Sequence, residues 1–350
     1  MMRLEHEILK LRTRHAFHIA RAAGEAVRRT VFVRVIADDG TEGWGEAPVS
    51  TPYYGETADT VVALLPALEA ALQDVVEREG EAALEAIEAA LAGAVGYNPG
   101  ARAAVSAALH DLLGKRLGVP VWRVLGLSAR APTSSFTIGI DEPEIMREKV
   151  RAAAGHSILK LKVGTSRDAE VLALVRAEAP DATLRIDANT AWTAEQALAR
   201  LPLLEEHGVE LLEQPLAPDD LDGLKRLRRR SGIPIVADES CRTAADIPRL
   251  VGAVDGINIK LAKCGSLREA VRMVHVARAH GLRVMLGCMI ESTLGIAAAA
   301  QVAPLVDWLD LDGAALLAED PFTGPGIGAD GTLRLNAEPG LGVRRDGAGG

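Results

Sequence analysis

The chain has 350 residues, 48% of them hydrophobic and 25% charged, which exceeds one average domain and is enough to bury a large core. A net charge of −9 without a dense Lys/Arg patch argues against a nucleic-acid surface, and no apolar run approaches the roughly 18 residues of a membrane span. Three cysteines, Cys241, Cys264 and Cys288, are odd in number, far apart and without a CxxC pair; with no signal-peptide core after Met1, the expectation is a soluble, cytoplasmic chain in a reducing compartment.

In chain order, the first segment reads as antiparallel α+β. Val31–Ala37 alternates, Asp38-Asp39-Gly40 turns, and Thr41–Glu46 returns as a hairpin. Helical stretches follow near 57–76, 80–92 and 101–117, the last set off by Asn98-Pro99-Gly100 and Gly118-Val119-Pro120. After a linker at 119–131 the chain becomes regular. Strand-like runs near 135–140, 158–162, 183–187, 210–213, 235–238, 257–260, 283–287 and 306–310 alternate with amphipathic helical stretches such as 195–207 and 267–280. Eight strands with seven intervening helices describe an α/β fold, a (β/α)7β barrel. The Arg-rich run 225–230 reads as the solvated face and end of one helix, and the apolar 296–300 as a short buried helix. Beyond Asp310 the chain turns to Gly/Pro-rich loops and one more hairpin near 331–335, and Asp346–Gly350 reads as a frayed end. The expected division is 1–122 for an α+β capping domain, 123–318 for the barrel, and 319–350 for a segment returning to the cap.

Chemistry in such a barrel gathers at the C-terminal ends of the strands. Asp187, Glu213 and Asp238 each close an apolar run there, at spacings of 26 and 25 residues, one βα unit apiece. A single acid at a strand end is as readily a plain ion-pair partner. Three on consecutive units converge, and converging carboxylates repel unless a cation neutralises them. All-oxygen ligation favours Mg²⁺, with Mn²⁺ next.

Lysines flank the acids. Lys160 and Lys162 lie two apart on one strand and so share a face, which a core does not tolerate without acceptors or a task. Lys160 would depress the pKa of Lys162 and attract a substrate carboxylate, leaving Lys162 as a base. Lys260 falls four strands beyond Lys162, opposite it in a ring of eight, so the two amines suit proton removal from one face of a carbon and return to the other. Asp310 and Asp312, after the eighth strand, also share a face and lie outside the metal series, free to meet a cationic group; an Asp-rich loop before Gly313 is the plainer reading. GxGxxG after a strand, GxxxxGK[ST] and HExxH are all missing from the sequence. Cys264 and Cys288 have no neighbouring His and read as small buried residues; Trp192 and Trp308 read as packing at strand ends, or as a pocket floor.

Together, Lys160-Leu161-Lys162, Asp187-Ala188-Asn189, Glu213-Gln214-Pro215, Ala237-Asp238-Glu239-Ser240 and Asn258-Ile259-Lys260 resemble the enolase superfamily, specifically its muconate lactonizing enzyme subgroup. The resemblance covers nearly the whole chain, cap and tail included. It implies Asp187, Glu213 and Asp238 as Mg²⁺ ligands, Lys162 and Lys260 as the acid/base pair, Lys160 as a helper, and Asn189 and Glu239 outside the ligand set, in support of it. Asp310-Leu311-Asp312 and Gly287–Ser292 resemble the dipeptide epimerases, in which paired aspartates hold the substrate α-ammonium. That likeness adds Thr137, Cys288 and Ile290 as substrate neighbours. Phe17–Arg21 and Thr51–Glu56 resemble the loops that close over the substrate side chain. Arg21 is the candidate partner of a Glu side chain, with Gly24 standing where some relatives carry the arginine.

The implied reaction is 1,1-proton transfer at the α-carbon of a dipeptide's C-terminal residue, L-Ala-D/L-Glu or a related pair. Lys162 would serve the R epimer and Lys260 the S epimer. An N-acylamino acid racemase, o-succinylbenzoate synthase or muconate cycloisomerase would keep the same ligands and lysines but, for the last two, has no ammonium for the Asp pair. A non-catalytic ligand-binding barrel is the alternative outside enzymes, and the intact set of bases speaks against it. The expected partners are a small dipeptide and further copies of the chain in a homo-oligomer, with neither nucleic acid nor membrane.

Overall fold

The computed structural model describes residues 2–20, 26–49, 55–80 and 82–346. Arg21, Gly24, residues 51–54 of the second expected capping loop and the last four of the expected frayed end lie outside that set. The chain begins with an antiparallel sheet in the order β1-β2-β3, formed by β1 (Arg3–Arg12), β2 (Val27–Ile36) and β3 (Glu42–Pro48). β2 and β3 are the expected hairpin, turning where Gly40 takes φ 82°. β1 was not anticipated: it is an edge strand paired with β2 alone, and its half-exposed Glu5 and Glu7 obscure the alternation.

The two faces of this sheet have different partners. Val31, Val33 and Val35 pack into a core with α1 (Ala58–Glu79), α2 (Leu84–Ala94) and α3 (Pro99–Leu117), while Phe32 points the other way and meets Phe322 edge-on at 5.1 Å. Thr57 and Thr60 form a capping box that starts α1, and α3 runs from Pro99 to a left-handed Gly118 at φ 68°. Gly43 and Gly45 let α3 approach: a β-carbon on either would stand 1.9 Å from the Ala108 carbonyl oxygen or 2.0 Å from that of Ala104. Alternation then aims Trp44 and Glu46 away from α3, toward the barrel.

After α4 (Val121–Val124) come β4 (Phe136–Ile138), β5 (Ile158–Lys162), β6 (Thr183–Asp187), β7 (Val209–Glu213), β8 (Ile235–Ala237), β9 (Gly256–Ile259), β10 (Arg283–Gly287) and β11 (Trp308–Asp310). They form one parallel sheet in sequence order. Ser134 bridges Leu309 in parallel and the Ser135 N–H donates to the Leu309 carbonyl at 3.0 Å, so the last strand returns to the first. The connections carry α5 (Pro143–Ala152), α6 (Asp168–Glu178), α7 (Ala194–Glu206), α8 (Leu221–Arg228), α9 (Ile247–Leu250), α10 (Leu261–Cys264) with α11 (Leu267–Ala279), and α12 (Thr293–Ala300). This is the (β/α)7β barrel the sequence implied.

Leu159, Leu161, Leu184, Ile186, Ile257 and Ile259 face the helices within the main core, while Leu211, Val236, Met285 and Trp308 make a separate apolar layer. Trp308 thus sits in that layer with the Arg283 guanidinium 4.3 Å from its ring centre. One irregularity decides the site. Between β6 and β7 the register slips by a residue, so that Leu184 pairs with Val209 but Arg185 with Leu211, and Asp187 comes level with Glu213 rather than Leu212.

The tail folds back over the cap. β12 (Phe322–Thr323) pairs with β15 (Arg344–Arg345), and β13 (Gly326–Ile327) with β14 (Leu333–Arg334), the latter being the expected last hairpin. Arg345 pairs with Glu7 at 2.6 Å, and the Ala318 N–H donates to the Arg12 carbonyl at 2.8 Å. No helix among the described residues is long and apolar enough to cross a membrane.

Candidate active site

Lys162, Asp187 and Glu213 stand level on three neighbouring strands. Asp238 follows β8 directly and Lys260 follows β9. Asp187, Glu213 and Asp238 are completely buried, as is Lys160 to 1% exposure. Lys160 Nζ lies 2.6 Å from Glu213 Oε2, 2.7 Å from Asp310 Oδ2 and 3.2 Å from Asp187 Oδ2. Lys162 Nζ donates to Asp187 Oδ2 at 2.6 Å, and Lys260 Nζ to Asp238 Oδ2 at 2.7 Å. The two expected bases therefore each rest against a different carboxylate, on β5 and just past β9, four strands apart in the ring.

Burial disfavours charge on Lys160, but Asp310, Glu213 and Asp187 outweigh it and hold the ammonium well above the ordinary lysine value. Asp187 and Asp238 are desolvated yet lowered, the first by Lys162 and Lys160, the second by Lys260 and Lys263. Glu213 goes the other way: burial and the Asp187 charge raise it. Its Oε1 accepts from Asn258 Nδ2 at 2.7 Å, whereas Oε2 has the Lys160 ion contact without hydrogen-bond geometry.

Among the described residues, no three His, Cys, Asp or Glu side chains surround one point in ligating geometry, because each acid is turned to a lysine. The donor set nevertheless fits a hard divalent cation. It offers carboxylate oxygens only, one of them without a hydrogen bond on a glutamate whose charge its neighbours disfavour. The Asn189 N–H donates to Asp187 Oδ1 at 2.9 Å from a left-handed backbone at φ 42°, holding the carboxylate from behind, and Asn189 Oδ1 is buried without a hydrogen bond. Glu239 follows Asp238 and is half-buried.

The Asp pair departs from expectation. Asp310 is not clear of the metal series: it accepts from Lys160 and, at 2.6 Å, from Ser135 Oγ. Both carboxyls are drawn inward because β11 closes against β4 and puts Asp310 within reach of Lys160. Asp312 accepts from the Thr137 N–H at 2.5 Å, and burial, with the Asp310 charge behind it, pushes its carboxyl up to about 7. Thr137 Oγ1 also reaches Asp310 at 3.4 Å. Cys288 and Ile290 are half-buried beside this pair, and Gly313 is so close that a β-carbon there would stand 3.2 Å from Cys288 Sγ. Burial and the surrounding carboxylates raise the Cys288 thiol well above its usual value, which disfavours the thiolate there.

Three residues have supporting roles that the sequence reading left unassigned. Lys263, fully buried, donates to Asp238 Oδ1 at 2.7 Å and to the carbonyls of Asp238 and Asn258, both at 2.6 Å. Gln214 Oε1 accepts from the N–H groups of Asp238 and Ser240 at 2.9 and 3.1 Å, and Asn258 fixes Glu213. Lysines three apart after a strand end, Lys260 and Lys263, were the available signal: one turn of helix returns the second to the same strand ends.

Two family descriptions match the chain: the mandelate racemase/muconate lactonizing enzyme N-terminal domain over residues 5–126, and the enolase C-terminal domain-like family over 145–348. An L-Ala-D/L-Glu epimerase of Bacteroides thetaiotaomicron is 38% identical, covering 96% of this chain and 86% of its own length. A hydrophobic dipeptide epimerase of Roseobacter litoralis is also 38% identical, over 92% of this chain and 93% of its own. The crystal structure of a dipeptide epimerase from Enterococcus faecalis, complexed with Mg and L-Leu-L-Tyr, superposes with a TM-score of 0.90 at 32% identity, covering 97% of this chain and 98% of its own. The chain belongs to the enolase superfamily, in its mandelate racemase/muconate lactonizing enzyme branch.

Proposed function

We propose that this protein is a dipeptide epimerase, an isomerase that inverts the α-carbon of a dipeptide's C-terminal residue. The observation that carries the reading is the placement of two lysines on strands four apart, each bonded to a separate buried carboxylate. An α-proton beside a carboxylate is a very weak acid, so its removal needs both a positioned amine and stabilisation of the charge left behind. Asp187, Glu213 and Asp238 would hold Mg²⁺, or Mn²⁺, and the bound cation would supply positive charge to the substrate carboxylate.

Lys162 takes the α-proton from a C-terminal D residue and Lys260 from an L residue, each returning a proton to its own face. Lys160, held charged by its three carboxylates, adds a fixed positive charge beside them. Asp312 and Asp310 dock the α-ammonium, positioned by Thr137 and Ser135, and Cys288 and Ile290 line the side-chain pocket. Asn189 and Glu239 support the ligand set, and Arg21 is the proposed partner of an acidic side chain.

The reading also takes the protein to be cytoplasmic, supported by three free cysteines, and homo-oligomeric, which light scattering tests. Incubating a mixed dipeptide library in D₂O with Mg²⁺ tests the function: epimerised members gain one deuteron, and EDTA abolishes the gain. Turnover of N-acyl amino acids in preference to free dipeptides would replace this reading with the racemase.

A further inference from the structure

Beside the mouth, two glutamates come together where the N-terminal sheet packs on the barrel. Glu46, on β3, is 4% exposed, and Glu291, just before α12, is 5% exposed. Glu46 accepts from Thr30 Oγ1 at 2.9 Å on its own sheet. Across the seam it accepts from the Ser292 N–H at 3.1 Å, Ser292 Oγ at 2.5 Å and the Gly295 N–H at 3.2 Å. Hydroxyls and the N-terminal N–H groups of α12 thus surround it, an environment suited to an ionised carboxylate. Glu291 Oε1 accepts from the Met289 N–H at 2.8 Å, which ties down the turn carrying Cys288 and Ile290. Its Oε2 and Glu46 Oε2 border one point: a β-carbon added to Gly295 would stand 2.3 Å from the first and 3.1 Å from the second. Two carboxylates cannot both ionise in so small a buried space.

We propose that Glu46 and Glu291 are positioning residues of the substrate pocket: the Glu291 carboxyl keeps its proton, donates it to the Glu46 carboxylate, and so locks the Cys288–Ile290 turn to the cap. The role in the pocket rests on the dipeptide reading above; the shared proton does not. Burial pushes Glu46 up to about 7, and burial with the Glu46 charge pushes Glu291 up to about 8. Lys260 faces Glu291 and lowers it, and the Cys288 thiol lies beside it on the same turn. Loss of the shared proton at alkaline pH sets two charges against each other and releases the turn.

The test is Glu291→Gln in the full-length protein, because a carboxamide accepts from Met289 and donates to Glu46 as the protonated carboxyl does. In the wild type, KM for a dipeptide should rise about fivefold above pH 8, the size of one neutral hydrogen bond, while kcat holds. In Glu291→Gln the KM should stay flat. Melting gives an arm independent of activity. The folded protein holds more protons than the unfolded one between the 4.5 of an ordinary glutamate and about 8, so wild-type stability falls as pH rises through that window. Glu291→Gln should flatten the fall. If no dipeptide is turned over, the functional reading fails while the melting arm still decides the acid pair. An unchanged melting slope, an unchanged KM profile in an active variant, or a variant that cannot fold would each overturn the shared proton.

Discussion

At the barrel mouth Asp187, Glu213, Asp238 and Asp310 are interleaved with Lys160, Lys162, Lys260 and Lys263, whereas at the cap seam Glu46 and Glu291 meet hydroxyls and backbone N–H groups. Both clusters are buried, yet Asp187, Asp238 and Asp310 respond oppositely to the seam acids, while Glu213 and Asp312, each with another carboxylate beside it, are raised as the seam acids are. Lysine charges hold Asp187, Asp238 and Asp310 below the usual carboxylate range, so the stability they contribute is present above about pH 4 and lost as pH falls further. The seam glutamates are raised, and their contribution fades as pH climbs toward 8. Burial acts alike in both places. What differs is the neighbour: lysines beside Asp187, Asp238 and Asp310, a second acid beside Glu291. A mouth built of ion pairs holds carboxylate oxygens that a divalent cation would take over from lysine; a seam held by backbone donors can only gain or lose a proton.

The strongest test of the mouth separates its two bases. Lys260→Ala and Lys162→Ala should each lower epimerisation by about 10²–10⁴-fold, the usual contribution of a positioned base. In D₂O, Lys260→Ala should still exchange the α-proton of a C-terminal D residue and Lys162→Ala that of an L residue, read by mass spectrometry. Appreciable interconversion of epimers by either variant means that one base serves both faces.

Next comes Lys263, which touches the site only through Asp238 and Asn258. Lys263→Met leaves Asp238 with one buried cation fewer and takes one donor from each of the Asp238 and Asn258 carbonyls. Breaking such a buried pair costs about 3–5 kcal/mol, measurable by urea unfolding. A loss no larger than that of a surface lysine would remove Lys263 from the supporting frame.

Asp312→Asn probes the ammonium dock. It should raise KM for a free dipeptide by an amount equivalent to about 1.5–3 kcal/mol, a charge-assisted hydrogen bond, and leave kcat less affected. Equal losses with an N-acetylated substrate would show that Asp312 supports the fold and not the ammonium. The smallest effect is expected far from both clusters: Thr57→Ala removes the cap of α1 and should cost about 1 kcal/mol in thermal unfolding with unchanged turnover. Changed kinetics there would mean that cap stability itself limits the reaction.

The barrel and its mouth were legible because strand ends repeat. Acids at positions 187, 213 and 238, one βα unit apart, and lysines at 160, 162 and 260 declare a shared edge by interval alone. The cap hairpin was legible from its turn, and the edge strand β1 was not, since charges on a strand paired along one side need no strict alternation. Asp310 shows the limit of spacing: the sequence places it on the right face, but only closure of β11 on β4 brings it to Lys160.

By itself, then, the sequence determined which residues stand at strand ends and which share a face, because period-two alternation and unit length are local properties of the chain. Tertiary structure alone decided the rest. The one-residue slip that sets Glu213 beside Asp187 and the meeting of Glu46 with Glu291 across 245 residues of chain each depend on where a distant segment packs. No local pattern encodes that distance. It is set by the shape of the core and by the charges and hydrogen bonds that burial leaves to be matched.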